Sequence, residues 1–238
     1  MISDEAQQRL LQERRFFESL SEKLGFLHIP KTGGTAIEVW GKSHGVFWGK
    51  HDTSLEGEKR KTGCNAWHTP QRLKNKDSFC VVRRPFDRLV SEYKHRACAK
   101  HASTVCDLDH FNTWVRDLLK GDLRVNDCHV LPQKDYMPFC DHVLNFDALQ
   151  ADFSALLERV TDDDNHKALF LDTNNDLSRL DVVPQPRIKI TADCDKGCDF
   201  TFDDLEPENQ QAFLNTYQAD ADTWNRINND TLRGAQKT

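Results

Sequence analysis

No stretch of eighteen apolar residues occurs anywhere in this chain, so no segment of it is expected to span a bilayer as a helix. The first twenty residues, MISDEAQQRLLQERRFFESL, carry acids and lack an apolar centre, which sets them apart from a secretory signal peptide. Internal repeats and low-complexity tracts are missing too, which argues against a solenoid or a linker protein. The eight cysteines form no zinc-finger framework, because Cys194-x3-Cys198 has no second pair at the spacing such a site needs. Cys80 lies in an apolar run and reads as a buried thiol. Cys98/Cys106, Cys128/Cys140 and Cys194/Cys198 are candidates for bridging, and spacing alone leaves the connectivity open.

What is present suits one domain of good size: 238 residues, 38% of them hydrophobic and 29% charged, enough for a core and too apolar for general disorder. The net charge of −6 is unevenly spread. Residues 59–100 hold twelve Lys/Arg against Asp77, Asp87 and Glu92, an excess of nine that leaves the rest of the chain at −15. A local excess of this kind can draw in an anionic ligand although the whole molecule is acidic.

Residues 4–23 place Leu10, Leu11, Phe16, Phe17 and Leu20 at helical spacing, with Gly25 positioned to end that helix as a C′ glycine. The stretch GFLHI (25–29) reads as a buried strand, and residues 43–66, with four glycines, as a long loop. SFCVV (78–82) is a second strand and turns at Pro85 into a helix carrying Leu89, Val90, Tyr93 and Ala97. A helix over 108–120 stops at Gly121. HVLNF (142–146) is a third strand, after which Asp147 is placed to cap the next helix, and residues 203–228 close the chain as a helix. Strands alternating with helices predict a single α/β domain, a three-layer α/β/α sandwich with a mostly parallel sheet. Residues 1–24 would form a helix packed on a domain spanning 25–238.

The segment GFLHIPKTGGTAIE (25–38) carries the chemistry. A strand, a glycine loop and a helix start make a general anion site, since orphan N–H groups and the helix dipole both favour negative charge. Lys31 adds a positive charge there, and Thr32 and Thr35 add hydroxyl donors. Gly25-x4-Pro30-Lys31-Thr32 comes within one residue of a nucleotide-hydrolase phosphate loop, G-x4-G-K-[ST]. The exception is Pro30, which has no N–H to offer a phosphate and gives the loop another shape. A kinase or NTPase is therefore the lesser reading, and a glycine turn that binds nothing would leave the lysine and both threonines to chance.

Two motifs together carry a resemblance. HIPKTGGTAIE (28–38) is similar to the 5′-phosphosulfate loop of the carbohydrate sulfotransferase superfamily, which includes heparan sulfate 2-O- and chondroitin sulfotransferases. CVVRRPFDRLVSEY (80–93) resembles that family's second signature, although Arg84 stands where members often have Asp or Asn. HVLPQ (129–133), HVLNFDALQADFSALL (142–157) and TYQADADTW (216–224) are weaker echoes. The resemblance implies 3′-phosphoadenosine 5′-phosphosulfate as donor co-substrate and no metal. It implies Arg83 and Ser91 at the 3′-phosphate, and the amides of Gly33, Gly34 and Thr35 with the Thr32 hydroxyl at the 5′-phosphate. Arg187 and Lys189 fall where the family has a loop over the nucleotide.

Sulfuryl transfer needs a base for the acceptor, an in-line geometry and positive charge on the leaving phosphate. Lys31, a compact mobile charge, suits the third task. Histidine suits the first. His68 in NAWHTPQRL stands where some hexuronic 2-O-sulfotransferases carry their catalytic histidine, with His129 as the alternative; His28 reads as a core residue, and Glu38 and Asp52 are the carboxylate options. The acceptor would be a carbohydrate or small-molecule hydroxyl, or an amine, with no nucleic-acid partner. A nucleotide sensor without transfer activity would keep Lys31 and Arg83 but need no base. With neither signal nor anchor in view, the expected location is the cytoplasm, and the Golgi lumen if the chain is a trimmed catalytic domain.

Overall fold

The computed structural model describes residues 4–58, 63–100, 107–125, 127–160 and 199–235. Helix α1 (Asp4–Lys23) runs straight into strand β1 (Leu24–Phe26), and helix α2 (Gly34–Ser43) follows the glycine loop. Strand β2 (Asp77–Val82) leads into helix α3 (Pro85–Lys100), then helix α4 (Leu108–Lys120). Strand β3 (His142–Asn145), helix α5 (Leu149–Val160) and helix α6 (Pro207–Ala235) complete the described elements.

The three strands form one parallel sheet in the order β1-β2-β3, with Phe26 opposite Phe79 on one side of β2 and Val82 opposite Asn145 on the other. Alternate residues of β2 divide between two apolar clusters, as a period of two requires. Phe79 and Val81 join Phe26, Leu144, Ile37, Trp40 and Phe153, with Phe16, Phe17 and Leu20 of α1 closing that side. Cys80 and Val82 pack with Leu27, Ile29 and Tyr136, and with Ile227 of α6. Helices on both faces of a parallel sheet give the three-layer α/β fold. Each fully buried side chain of this size contributes about 1.5–3 kcal/mol relative to exposure. A third cluster joins α3, α4 and α6 through Phe86, Tyr93, Phe111, Val115 and Phe213.

Several expectations need correction. Gly25 lies inside β1 rather than after a helix, and it is a glycine because a Cβ there would come within 2.5 Å of Leu73 Cδ1. Asp147 does not cap α5. It sits in a 3-10 turn (Phe146–Ala148) whose start is capped by Asn145, with Asn145 Oδ1 accepting the Asp147 N–H at 3.0 Å. The long loop after α2 contains short 3-10 turns at Gly49–His51, Thr53–Glu58 and Ala66–His68. The closing helix begins at Pro207, behind a turn fixed by Thr201 and Asp204.

The cysteine reading also changes. Cys80 is not a thiol: it is bridged to Cys140, tying β2 to the segment that enters β3. Cys128 pairs with Cys64 and not with Cys140, at a Cα separation of 5.3 Å. Cys106, Cys194 and Cys198 lie outside the described residues, as do Arg187 and Lys189. Among the described residues no helix is long and apolar enough to cross a membrane.

Candidate active site

The carboxyl ends of β1 and β2 open on a cleft of about 340 Å³. The loop beyond β1 forms its floor. Lys31 (φ 70°) and Gly33 (φ 84°) both take the left-handed conformation, an unusual one for a lysine, with Thr32 between them. Thr32 Oγ1 donates to the Ile29 carbonyl at 2.7 Å, and the residue is fully buried, so its hydroxyl proton holds the loop and does not reach the cleft. A Cβ on Gly33 would press on Phe146 at 3.0 Å, and one on Gly34 would overlap the His28 ring. Both glycines are thus required by what lies beneath them. No side chain among the described residues caps the start of α2, and its first residues, Gly34 and Thr35, line the cleft with Lys31, which puts the positive end of the helix dipole there.

Arg83 leaves the end of β2 with both backbone groups held by one side chain: Gln133 Oε1 accepts its N–H at 3.0 Å, and Gln133 Nε2 donates to its carbonyl at 2.9 Å. The guanidinium lies 4.4 Å above the Phe146 ring, and Nη1 donates to the Lys31 carbonyl at 3.3 Å. Most of its five donors stay available to a ligand. Ser91, two turns into α3, lines the same cleft. Arg84 points elsewhere, over Trp224 and toward Asp87, and among the described residues Arg83 forms no ion pair with Asp87 or Glu92.

Four histidines gather on the remaining wall: His28, His68, His95 and His129. His28 Nδ1 meets Glu38 Oε1 at 2.8 Å. Glu38, buried, also accepts the Lys50 N–H at 3.0 Å and faces Lys50 Nζ at 3.5 Å. It orients His28 from the cleft wall. The His68 ring lies edge-on to His28 at 4.6 Å and to His129 at 5.2 Å. Its Nδ1 comes within 2.9 Å of Asp127 Oδ2, but the oxygen is off the ring's N–H direction, making the contact electrostatic rather than a directed hydrogen bond. Tyr136 donates to the His68 carbonyl at 2.7 Å. His129 Nδ1 is 2.7 Å from Glu92 Oε2, and Glu92 in turn pairs with Arg96. Asp52 lies outside the cleft and accepts from Ser54. Trp67 lines the cleft, whereas Trp40 and Trp48 belong to the core.

Burial governs the charges here. It lowers the Lys31 pKa, against the pull of Glu92 and with help from Arg83. Arg83 is lowered for the same first reason. His68 is pushed down to about 4 by burial and by the neighbouring His28, although Asp127 works against the shift. Burial opposes the charge on Glu92, yet His129 and Arg96 hold its pKa below the usual range.

One residue of the frame escaped sequence reasoning. Arg88, only 3% exposed, donates to the carbonyls of Pro30, Leu131 and His129, each at 2.9 Å. It fastens α3 to the glycine loop after β1 and to the histidine wall. Its place one helical turn after Arg84 in RRPFDR was the available signal.

Beside the cleft lies a second groove of about 830 Å³, sharing Lys50 with it and lined by Lys42, Arg72, Lys74 and Lys76. Phe47, 52% exposed, stands in this basic surface. A family model described as "Sulfotransferase family" matches residues 14–225. No curated protein and no solved structure matches the chain significantly.

Proposed function

The chain belongs to the sulfotransferase family, and from that premise we propose that it moves the sulfuryl group of 3′-phosphoadenosine 5′-phosphosulfate to a hydroxyl of an acidic carbohydrate. The observation that carries this reading is the convergence of Lys31 and Arg83. The Arg83 guanidinium donates to the Lys31 carbonyl at 3.3 Å, and both residues line the cleft beside the start of α2, which no side chain caps. The left-handed turn at Lys31 and Gly33 and the start of α2, which no side chain caps, suit the cradle to a phosphate group.

In this reading the N–H groups of Gly33, Gly34 and Thr35 hold the 5′-phosphate, and Arg83 and Ser91 hold the 3′-phosphate. Lys31 follows the negative charge that grows on the leaving oxygen. Thr32 contributes through its backbone and its grip on Ile29, since its hydroxyl donates inward. His68 accepts the acceptor's proton. Its low proton affinity keeps the ring neutral and ready, while Asp127 at 2.9 Å and the anionic donor stabilise the imidazolium once formed. The positive groups supply the charge stabilisation that a metal would otherwise provide.

The basic groove supports an acidic carbohydrate over a small-molecule hydroxyl or an amine, because Lys42, Lys50, Arg72, Lys74 and Lys76 can each meet an anionic group. The two disulfides among the described residues favour an oxidising compartment such as the Golgi lumen over the cytoplasm. Calorimetry with 3′-phosphoadenosine 5′-phosphate, run beside transfer assays with labelled donor on glycosaminoglycans and neutral sugars, tests the proposal. Chelator-insensitive binding and label on the acidic polymers are expected. Tight binding with no turnover on any acceptor would favour the sensor, and magnesium-dependent ATP binding would favour the NTPase.

A further inference from the structure

The wall opposite the phosphate loop holds a donor set that phosphate binding does not use. One ligand atom each from His68, Asp127 and His129 lie within 4.8 Å of one another. Asp127 Oδ2 is 2.9 Å from His68 Nδ1 and 3.7 Å from His129 Nε2. In a tetrahedral zinc site with bonds of about 2.0–2.1 Å, donor atoms stand about 3.3–3.4 Å apart. The two distances bracket that value. His68 Nδ1 is also buried without a hydrogen-bond partner among the described residues, on a side chain only 9% exposed. A buried imidazole nitrogen without a directed partner, beside a carboxylate and a second imidazole, is what a metal ligand looks like before its ion arrives.

The outer contacts match as well. His129 directs its other nitrogen to Glu92 Oε2 at 2.7 Å, the carboxylate–histidine arrangement that fixes the tautomer of a metal-binding ring. Asp127 Oδ1 accepts the Asn65 N–H at 2.6 Å. The Cys64–Cys128 bridge staples the two contributing segments together, one Cys beside Asn65 and the other between Asp127 and His129. Asp127 and Cys128 both hold positive φ, 70° and 58°, so the turn that aligns the ligands is specifically shaped.

We propose that His68, Asp127 and His129 bind a single zinc ion and that its binding switches transfer off. Two imidazoles and one carboxylate suit zinc and disfavour magnesium or calcium, which prefer all-oxygen shells. The binding stands on geometry alone, and the effect on transfer rests on His68 being the base. With Nδ1 bound to the ion, the remaining ring proton of neutral His68 must sit on Nε2. The nitrogen left for the acceptor then carries a hydrogen and has no lone pair to receive another. Zinc would thus lock the ring in the tautomer that cannot act.

The test titrates zinc chloride into the untagged, nucleotide-free full chain, with a competing chelator to set affinity and elemental analysis to set stoichiometry. One ion per chain is expected, with affinity falling at least 10–100-fold in His129→Gln and in Asp127→Asn, each checked for folding by circular dichroism. Cobalt(II) in the unmutated chain should give the intense visible bands of a four- or five-coordinate site, a readout that needs no variant. Labelled-donor transfer should stop at saturating zinc and return on chelation. A pale octahedral cobalt spectrum, zinc affinity indifferent to both substitutions, or full transfer at saturating zinc overturns the proposal. If no acceptor is ever labelled, the transferase reading fails, and the zinc and cobalt titrations still decide the site.

Discussion

Arg83→Ala separates recognition of the donor from everything else in the cleft. The backbone at this position is gripped from both sides by Gln133, so the strand end should keep its course when the side chain is lost. The guanidinium gives one long bond, 3.3 Å, to the Lys31 carbonyl and rests on Phe146; losing that stacking costs about 0.5–1 kcal/mol. The larger loss is the fork that would grip a phosphate. Truncating one partner of a desolvated, hydrogen-bonded charge pair costs about 2–5 kcal/mol, which corresponds to a rise of about 30- to 4,000-fold in Kd. Calorimetry should therefore find that loss for 3′-phosphoadenosine 5′-phosphate in the variant. A nucleotide without the 3′-phosphate is the control: it should bind the variant and the original chain within a few-fold of each other. If both nucleotides lose affinity equally, Arg83 does not read the 3′-phosphate. If neither loses any, and Lys31→Ala is silent too, the donor site is elsewhere.

His68→Ala should leave nucleotide affinity nearly intact while turnover falls by about 10²–10⁴-fold, the usual span for a lost general base; Lys31→Ala should impair both, and normal turnover of His68→Ala at saturating acceptor would pass the role to His129. Gly34→Ala drives a methyl into the His28 ring, which Glu38 holds at 2.8 Å, so the ring has little freedom to yield. Overpacking of this kind costs about 1–3 kcal/mol, and an unchanged melting temperature would show that the wall gives way. The Cys64→Ser/Cys128→Ser double variant opens a loop with a sequence separation of 64 residues. Chain entropy puts the stability loss at no more than about 4 kcal/mol, and calorimetric melting together with turnover should show both a lower Tm and a slower enzyme.

Much of this site was legible because its signals are local. A strand, two glycines and a helix start occupy consecutive residues, and the eight-residue step from Arg83 to Ser91 sets two helical turns by arithmetic alone. The end of α4 was readable for the same reason, since Gly121 takes its left-handed capping conformation in its own backbone. What stayed hidden depends on contacts across the chain. Cys64 and Cys128, like Cys80 and Cys140, are partners because the sheet and its loops bring them together, and spacing holds no trace of that. Gly25 looked like a helix stop until Leu73 was seen to occupy the space its side chain would need. Asp147 has the right residue type for a cap, but Asn145 reaches the turn first. Asp127 and Glu92 could not be read as histidine partners, because His68 lies 59 positions from the one and His129 lies 37 from the other.

The hidden contacts share one purpose. Three segments with no sequence proximity must present their charges to the same small volume, and cations placed near each other repel. The solution is to spend buried polar groups on backbone rather than on ligand. Arg88 gives three donors to carbonyls of the phosphate loop and the histidine segment. Gln133 gives its amide to Arg83, while its own N–H and that of Lys134 are taken by the buried Asp220 of α6, at 2.7 and 2.8 Å. Burial raises the Asp220 pKa, and those two bonds act against the rise. Helix α6 therefore reaches Arg83 through Gln133, and α3 reaches the residue before Lys31 through Arg88. Because these residues bind carbonyls and amides already fixed in the fold, Lys31 and Arg83 keep few side-chain partners among the described residues, which is what the proposed anion binding needs. That is the condition under which phosphate binding gains most from them, since little protein–protein bonding has to be broken first.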